Sequence, residues 1–263
     1  LMINFEKWHG NGNDFVIVNS IEQGFKLTKG FIKKTGDRNK GIGFDQLILI
    51  GLPTKHDHDF FIRFYNSDGS EADNCLNGIR CASSYIWKNN LAPKNKIIFK
   101  TKQNEISSHP KQDNDVSVNI TKPVKHFWKP EDRKKLEKII GGDFFSARIG
   151  NNHFGIKMDS IQKVDLDALY SKLKKFIKIS KFNLSIYAKK DKFVEIRTFE
   201  NGVGETLSCG SAALCVASHL MSKDKRNKVI IRSIGGKLKF QSDFLNILMS
   251  GPTDFIYKGN IDE

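Results

Sequence analysis

Ten short runs rich in Ile, Val and Phe, most of them bounded by Gly, Asn, Asp or Pro, punctuate this chain and predict strands. Residues 15–18, 46–50, 60–65, 96–101 and 116–120 fall in the first half; 153–158, 193–199, 229–232, 237–240 and 245–249 fall in the second. Two segments break this rhythm with helical spacing: Ile79, Ala82 and Ile86, and later Ala213, Val216, Ala217 and Leu220. Weaker helical patterns cover residues 27–35 and 166–177. The Pro-punctuated stretch 122–130, from Lys122 and Pro123 through Trp128 to Pro130, separates the two strand sets and marks the boundary. The expected organisation is therefore residues 1–121, completed by a C-terminal strand over 252–263, and residues 122–251. Each half carries strands and a helix that begins at a cysteine.

Composition changes this picture little. With 263 residues, 39% of them hydrophobic and 11% aromatic, the chain can bury a core that needs no disulfides. No apolar run approaches the ~20 residues of a membrane span, so no membrane partner is expected. The start shows no secretory pattern; Met2 is expected to be the natural start and Leu1 a leftover of expression. Four cysteines without disulfide-rich compaction point to a reducing cytoplasm. The net charge is +14, but only eight of the 43 basic residues are Arg, and the lysines are spread along the chain. That is a solvated surface with some attraction for anions rather than a nucleic-acid module, so no specific nucleic-acid partner is expected.

The chemistry lies in an internal echo. Asn66, Glu71, Cys75 and Cys81 have the spacing of Glu200, Glu205, Cys209 and Cys215: a polar side chain nine residues before a cysteine, a Glu four before it, a second cysteine six after. Such self-similarity implies a duplicated unit and a site with matching halves. Cys75 and Cys209 would each open a helix, where unpaired N–H groups and the macrodipole stabilise a thiolate or a carboxylate. The small or polar residues that follow, Asn77 with Gly78 and Gly210 with Ser211, allow close approach to those N–H groups. Two opposed thiols suit removal of a proton from one face of an α-carbon and return of one to the other. Cys81 and Cys215 sit six helical residues further on, on a different face, so a shared zinc site is not expected and both read as core. The run His56, Asp57, His58, Asp59 reads as a solvated turn rather than a metal site. Neither a P-loop nor a dinucleotide fingerprint occurs.

Five ordered blocks then identify a resemblance: Lys7 to Phe15, Asp37 to Gln46, Phe64 to Glu71, Gly150 to His153, and Gly204 to Ser211. Through them the chain resembles the diaminopimelate epimerase family from one end to the other. The resemblance implies an α+β fold of two pseudo-symmetric halves, each a β-barrel-like sheet around a central helix, with the active site in the cleft between them. It implies cofactor-independent interconversion of L,L- and meso-diaminopimelate, in lysine and peptidoglycan synthesis, by a two-base thiol/thiolate transfer at Cα. Cys75 and Cys209 match the catalytic cysteines. Leu76, Asn77, Gly210 and Ser211 match backbone groups that hold the reacting carboxylate. Asn13, Gln46, Asn66, Asn151, Asn183, Glu200 and Asn201 fall at substrate-binding positions, and His153 and Glu200 at positions that tune the thiols. No metal and no cofactor is implied; the partner is a small amino acid, and a homodimer is left open. Read without the family, Asn13, Asn66 and Asn183 would be turn residues and His153 a hydrogen-bonded strand histidine.

This chain departs from the family pattern in ways that bear on substrate. Asn201 stands where the family has an Arg that pairs with the carboxylate at the far end of the substrate. Losing such a charge-assisted contact costs about 1.5–3 kcal/mol. A related racemase acting on an amino acid without a distal carboxylate is the competing expectation. Leu76 stands for a family Gly and would be strained if its φ were positive. Asn152 stands for a Pro and Ala212 for another small residue; both changes are mild.

Overall fold

The computed structural model describes residues 2–25, 27–126, 129–177 and 181–262. Trp128 of the predicted boundary stretch, Leu1, and Lys178 in the lysine-rich stretch lie outside them. The chain divides into two compact units, residues 1–120 with 250–263, and residues 121–249.

The first unit runs β1 (Met2–Gly10), β2 (Asn13–Asn19), α1 (Lys29–Gly36), β3 (Gln46–Gly51), β4 (Phe60–Asn66), β5 (Glu71–Ala72), α2 (Leu76–Lys88), β6 (Ile97–Lys100), β7 (Glu105–Pro110) and β8 (Val116–Thr121). The second runs β9 (Val124–His126), α3 (Pro130–Ile140), β10 (Phe144–Ile149), β11 (Asn151–Lys157), α4 (Leu166–Lys174), β12 (Asn183–Lys189), β13 (Val194–Glu200), β14 (Gly204–Thr206), α5 (Gly210–Asp224), β15 (Lys228–Ser233), β16 (Gly236–Asp243) and β17 (Asn246–Gly251). The chain then returns to the first unit as β18 (Asp254–Asp262), antiparallel to β1.

Parallel strand pairs need a crossover, and each unit has two of them. In the first, β2 pairs parallel with β3 across α1, and β4 with β6 across α2. In the second, β11 pairs parallel with β12 across α4, and β13 with β15 across α5. The registers repeat as well. Phe15 faces Gln46 as His153 faces Asn183, and Phe60 faces Phe99 as Val194 faces Ile231. A bidentate fork joins Arg63 to Glu71 at 2.8 and 3.2 Å, and another joins Arg197 to Glu205 at 2.6 and 2.7 Å. The duplication read from the cysteine blocks thus extends through the whole unit.

Each unit pairs an outer helix with an enclosed one, and the second unit carries α3 besides. α1 is amphipathic and covers one sheet face through Phe31 and Ile32, against Ile3, Val16, Val18 and Leu47. α4 does the same with Leu166, Tyr170 and Leu173 against Phe154, Phe182 and Leu184. α2 and α5, by contrast, are buried around most of their circumference, as a helix enclosed by its own sheet must be. α2 packs against β1, β2, β3 and β7. Its Gly78 is what permits the close approach: a Cβ there would lie 2.8 Å from Cε1 of Phe64 on β4. Ile79 and Ile86 are fully buried, a gain of about 1.5–3 kcal/mol each. Cys81 and Cys215 are core residues, with burial pushing both thiols far up. No helix among the described residues is long and apolar enough to cross a membrane.

Two local expectations are corrected. Leu76 is not among the residues with positive φ; it is the first residue of α2, so replacing a Gly there costs no backbone strain. The 56–59 run is not simply a solvated turn, because His58 is buried at 5% exposure. Its Nε2 accepts from the Thr54 N–H at 3.0 Å, which places the ring proton on Nδ1, facing Asp57 at 2.7 Å. Among the described residues no group of three or more His, Cys, Asp or Glu is arranged to hold a metal.

Candidate active site

Each cysteine of interest is the N-cap of the enclosed helix of its unit. Cys75 precedes α2 and Cys209 precedes α5, both with extended backbone, both half-buried, and neither making a side-chain capping hydrogen bond. The outer helices α1 and α4 behave differently, whereas α3 begins at Lys129 without a side-chain cap. Thr28 caps α1 by accepting from the Phe31 N–H, and Asp165 caps α4 by accepting from the Ala168 N–H. The helix starts at Leu76–Asn77 and Gly210–Ser211 therefore keep first-turn N–H groups that no capping side chain takes, which is how a carboxylate-binding helix start is built.

The structure ties two of the expected residues to Cys75 and joins another two to each other. The Cys75 thiol donates to Asn13 Oδ1 at 3.7 Å, and Asn77 Nδ2 donates to the same oxygen at 3.4 Å. Gln46 Nε2 donates to Asn66 Oδ1 at 2.9 Å, and Asn66 Nδ2 to Ser70 at 3.0 Å. Gln46 Oε1 is buried without a hydrogen-bond partner among the described residues. Asn13 opens β2 and Asn66 ends β4, so both are strand-end residues. Beside them lies a charged cluster that the sequence blocks contain but do not explain. Arg38 bridges Asp14 at 2.7 Å and Asp45 at 2.8 Å, and Lys7 also binds Asp14. Burial alone would raise Asp14, but the hydrogen bonds from Arg38 and Lys7 prevail and hold its carboxyl down at about 2.

Around Cys209 the arrangement is more acidic. The thiol donates to Glu200 Oε2 at 3.3 Å and lies 3.4 Å from Ser211 Oγ; Thr206 Oγ1 donates to the other Glu200 oxygen at 2.7 Å. Burial, and then the Glu200 carboxylate, push this thiol well above the ordinary cysteine value, with Ser211 pulling the other way. The resting form is thus a thiol hydrogen-bonded to a carboxylate. Asn183 Oδ1 accepts from the Asn201 N–H at 3.0 Å, and Asn201 Oδ1 accepts from the Tyr170 hydroxyl at 2.9 Å. Tyr170 in turn stacks on Phe199 at 4.3 Å. The Asn201 side chain is therefore held by a neutral hydroxyl, and Tyr170 is a site neighbour that sequence reading missed.

His153 and Asn151 do not join these described hydrogen-bond networks. Asn151 opens β11 and is exposed, with no side-chain hydrogen bond described. His153 is 1% exposed, yet neither ring nitrogen has a hydrogen-bond partner among the described residues. It is therefore neither the hydrogen-bonded strand histidine of the simple reading nor in direct hydrogen-bond contact with the Cys209 thiol. Burial lowers it to about 4, so its ring is neutral near pH 7. Asn183 Nδ2, across the parallel pair from His153, is likewise buried without a partner. A cavity of about 500 Å³ in the second unit is lined by Lys125, Asp143, Phe145, Cys215 and His219 but not by Cys209, and it does not mark the chemistry.

Comparison with known proteins follows from this geometry. The family model described as diaminopimelate epimerase matches residues 5–126. A curated diaminopimelate epimerase from Psychrobacter cryohalolentis is 31% identical, across 98% of this chain and 94% of its own. Among solved structures, a phenazine biosynthesis protein of the PhzF family from Bacillus anthracis superposes with a TM-score of 0.76 at 15% identity, covering 100% of both chains. A hydroxyproline epimerase from Agrobacterium vitis does so with a TM-score of 0.71 at 10% identity, covering 99% of this chain and 92% of that one. These two likenesses concern the fold.

Proposed function

Because the chain belongs to the diaminopimelate epimerase family and is an isomerase, we propose that it interconverts L,L- and meso-diaminopimelate by a two-thiol proton transfer at Cα. The carrying observation is that Cys75 and Cys209 alone open enclosed helices whose starts lack a side-chain cap, while the outer helices α1 and α4 are capped. In this mechanism the substrate α-carboxylate accepts hydrogen bonds from the N–H groups at Leu76–Asn77 and Gly210–Ser211. One cysteine, as thiolate, takes the α-proton from one face. Charge developing on the carboxylate is stabilised by the same donors. The other cysteine, as thiol, delivers its proton to the opposite face, and the two have then exchanged states. Glu200 accepts the Cys209 proton and so generates the thiolate; without such a partner a buried thiol is a poor base. Asn13, Gln46, Asn66, Asn151 and Asn183 supply amides for the rest of the substrate.

A second reading is favoured by one feature. At Asn201 the chain presents an amide tied to Tyr170 rather than a cation, which suits an amino acid whose far end carries no carboxylate. Proton NMR of L,L-diaminopimelate with reduced protein in D₂O decides between them. Loss of the α-proton signal with appearance of the meso isomer is the expected result. No exchange by folded, reduced protein, followed by exchange with another amino acid in the same assay, would replace diaminopimelate by that substrate.

A further inference from the structure

Arg80 heads the fully buried side chains among the described residues, at 0% exposure, five residues beyond Cys75 on α2. Its two described hydrogen bonds go to amide oxygens: Nη1 to Asn77 Oδ1 at 2.8 Å, and Nη2 to Asn11 Oδ1 at 2.7 Å. A guanidinium can only donate, so it dictates which way each of these amides faces. With its oxygen on Arg80, Asn77 must turn its NH₂ outward, and that NH₂ meets Asn13 Oδ1 at 3.4 Å. The far end of this chain of hydrogen bonds is fixed with the same polarity. The Asp45 carboxylate can only accept, and it takes Asn13 Nδ2 at 2.7 Å. Asn13 is thereby held with its nitrogen on Asp45 and its oxygen towards Asn77 and the Cys75 thiol. Asn11 adds a mechanical tie. It sits at φ of 57° in the β1–β2 hairpin turn, two residues before Asn13, and the hairpin comes close enough that a Cβ on Gly10 would lie 3.1 Å from Arg80 Nη2.

We infer that Arg80 is a positioning residue: by fixing the Asn77 and Asn11 amides, it acts with Asp45 at the other end of the chain to make Asn13 present an oxygen, never an N–H, to Cys75. The role rests on the proposed thiol chemistry, because what it orients is the acceptor that faces the acting thiol. It does not touch substrate. Arg80→Lys keeps a donor-only cation at the head of the chain, whereas Arg80→Met keeps the stem and removes the donors.

The test has two parts, applied to reduced full-length protein. First, kcat and KM for epimerisation are measured for both variants, with folding checked by thermal melting. The expected result is a kcat for Arg80→Met at least about tenfold below that of Arg80→Lys, with KM within about threefold. Equal kcat in the two variants, or wild-type kcat in folded Arg80→Met, would overturn the proposal. Second, neutron diffraction of the deuterated wild-type protein locates the amide deuterons directly, whether or not Arg80→Met folds. Deuterons on the Asn77 nitrogen directed at Asn13, with the Asn13 oxygen towards Sγ, are expected; the reverse orientation of either amide sinks the idea. A wild-type protein without epimerase activity would defeat the functional reading, while the neutron result would still decide the orientation.

Discussion

His153 shows how far a single residue can be held from its solution behaviour. Its ring is enclosed with neither nitrogen hydrogen-bonded among the described residues, and burial lowers it from 6.5 to about 4. The unfolded chain therefore takes up a proton at higher pH than the folded one, so acid favours unfolding. The penalty is absent above pH 6.5, grows as pH falls, and is complete near pH 4, where the folded protein also protonates. Its size is on the order of 3 kcal/mol. Urea unfolding of wild type between pH 7 and 4 should lose about this much more stability than unfolding of His153→Gln; parallel pH profiles would show that His153 is not responsible.

At the scale of elements, the cysteines replace caps that helices prefer. Ser is among the strongest N-cap residues, and a cap contributes typically ~1 kcal/mol. Cys75→Ser should therefore raise the melting temperature by a few degrees while abolishing turnover; a destabilised variant would show that the thiol itself supports α2. Thr28→Ala and Asp165→Ala should do the opposite, costing about 1 kcal/mol each by chemical denaturation with kcat unchanged. These two starts are legible in sequence, and so were α2 and α5, because a periodic apolar stripe begins directly after each cysteine. Gly78→Ala should cost more than an ordinary helix substitution, since the new methyl meets the Phe64 ring at 2.8 Å. Other elements were not legible. β12 alternates apolar residues with Asn183, Ser185 and Tyr187, yet all three are buried, so its polarity hid a core strand. Arg80 lies on the buried stripe of α2, where a charge contradicts the pattern; its partner Asn77 is three residues away on the same helix, but Asn11 is 69 residues away and no local signal names it. Tyr170 escaped for the same reason, its bond to Asn201 spanning 31 residues.

For the whole molecule, the informative repeat is one of registers and ion pairs rather than of sequence identity. The Arg63–Glu71 and Arg197–Glu205 forks occupy equivalent strand positions, although only the Glu of each was singled out by the cysteine spacing. The repeat also predicts where the chain is vulnerable. β18 supplies the antiparallel partner of β1 from Met2 to His9, and without it that edge is left unpaired. Removing residues 252–263 should therefore expose the first unit to protease while the second persists. Limited proteolysis with mass spectrometry should find early cuts within 2–120 and survival of 121–249; equal protection of both would show that β1 does not depend on its partner.

That same return strand imposes an order on biosynthesis. Residues 2–120 leave the ribosome first, but the strand that completes their sheet is translated only after all of 121–249. The second unit is contiguous in the chain and can close while translation continues. The first must wait, half-made and with an open edge, for residues 254–262, so of the two units the one begun earlier is the one finished later.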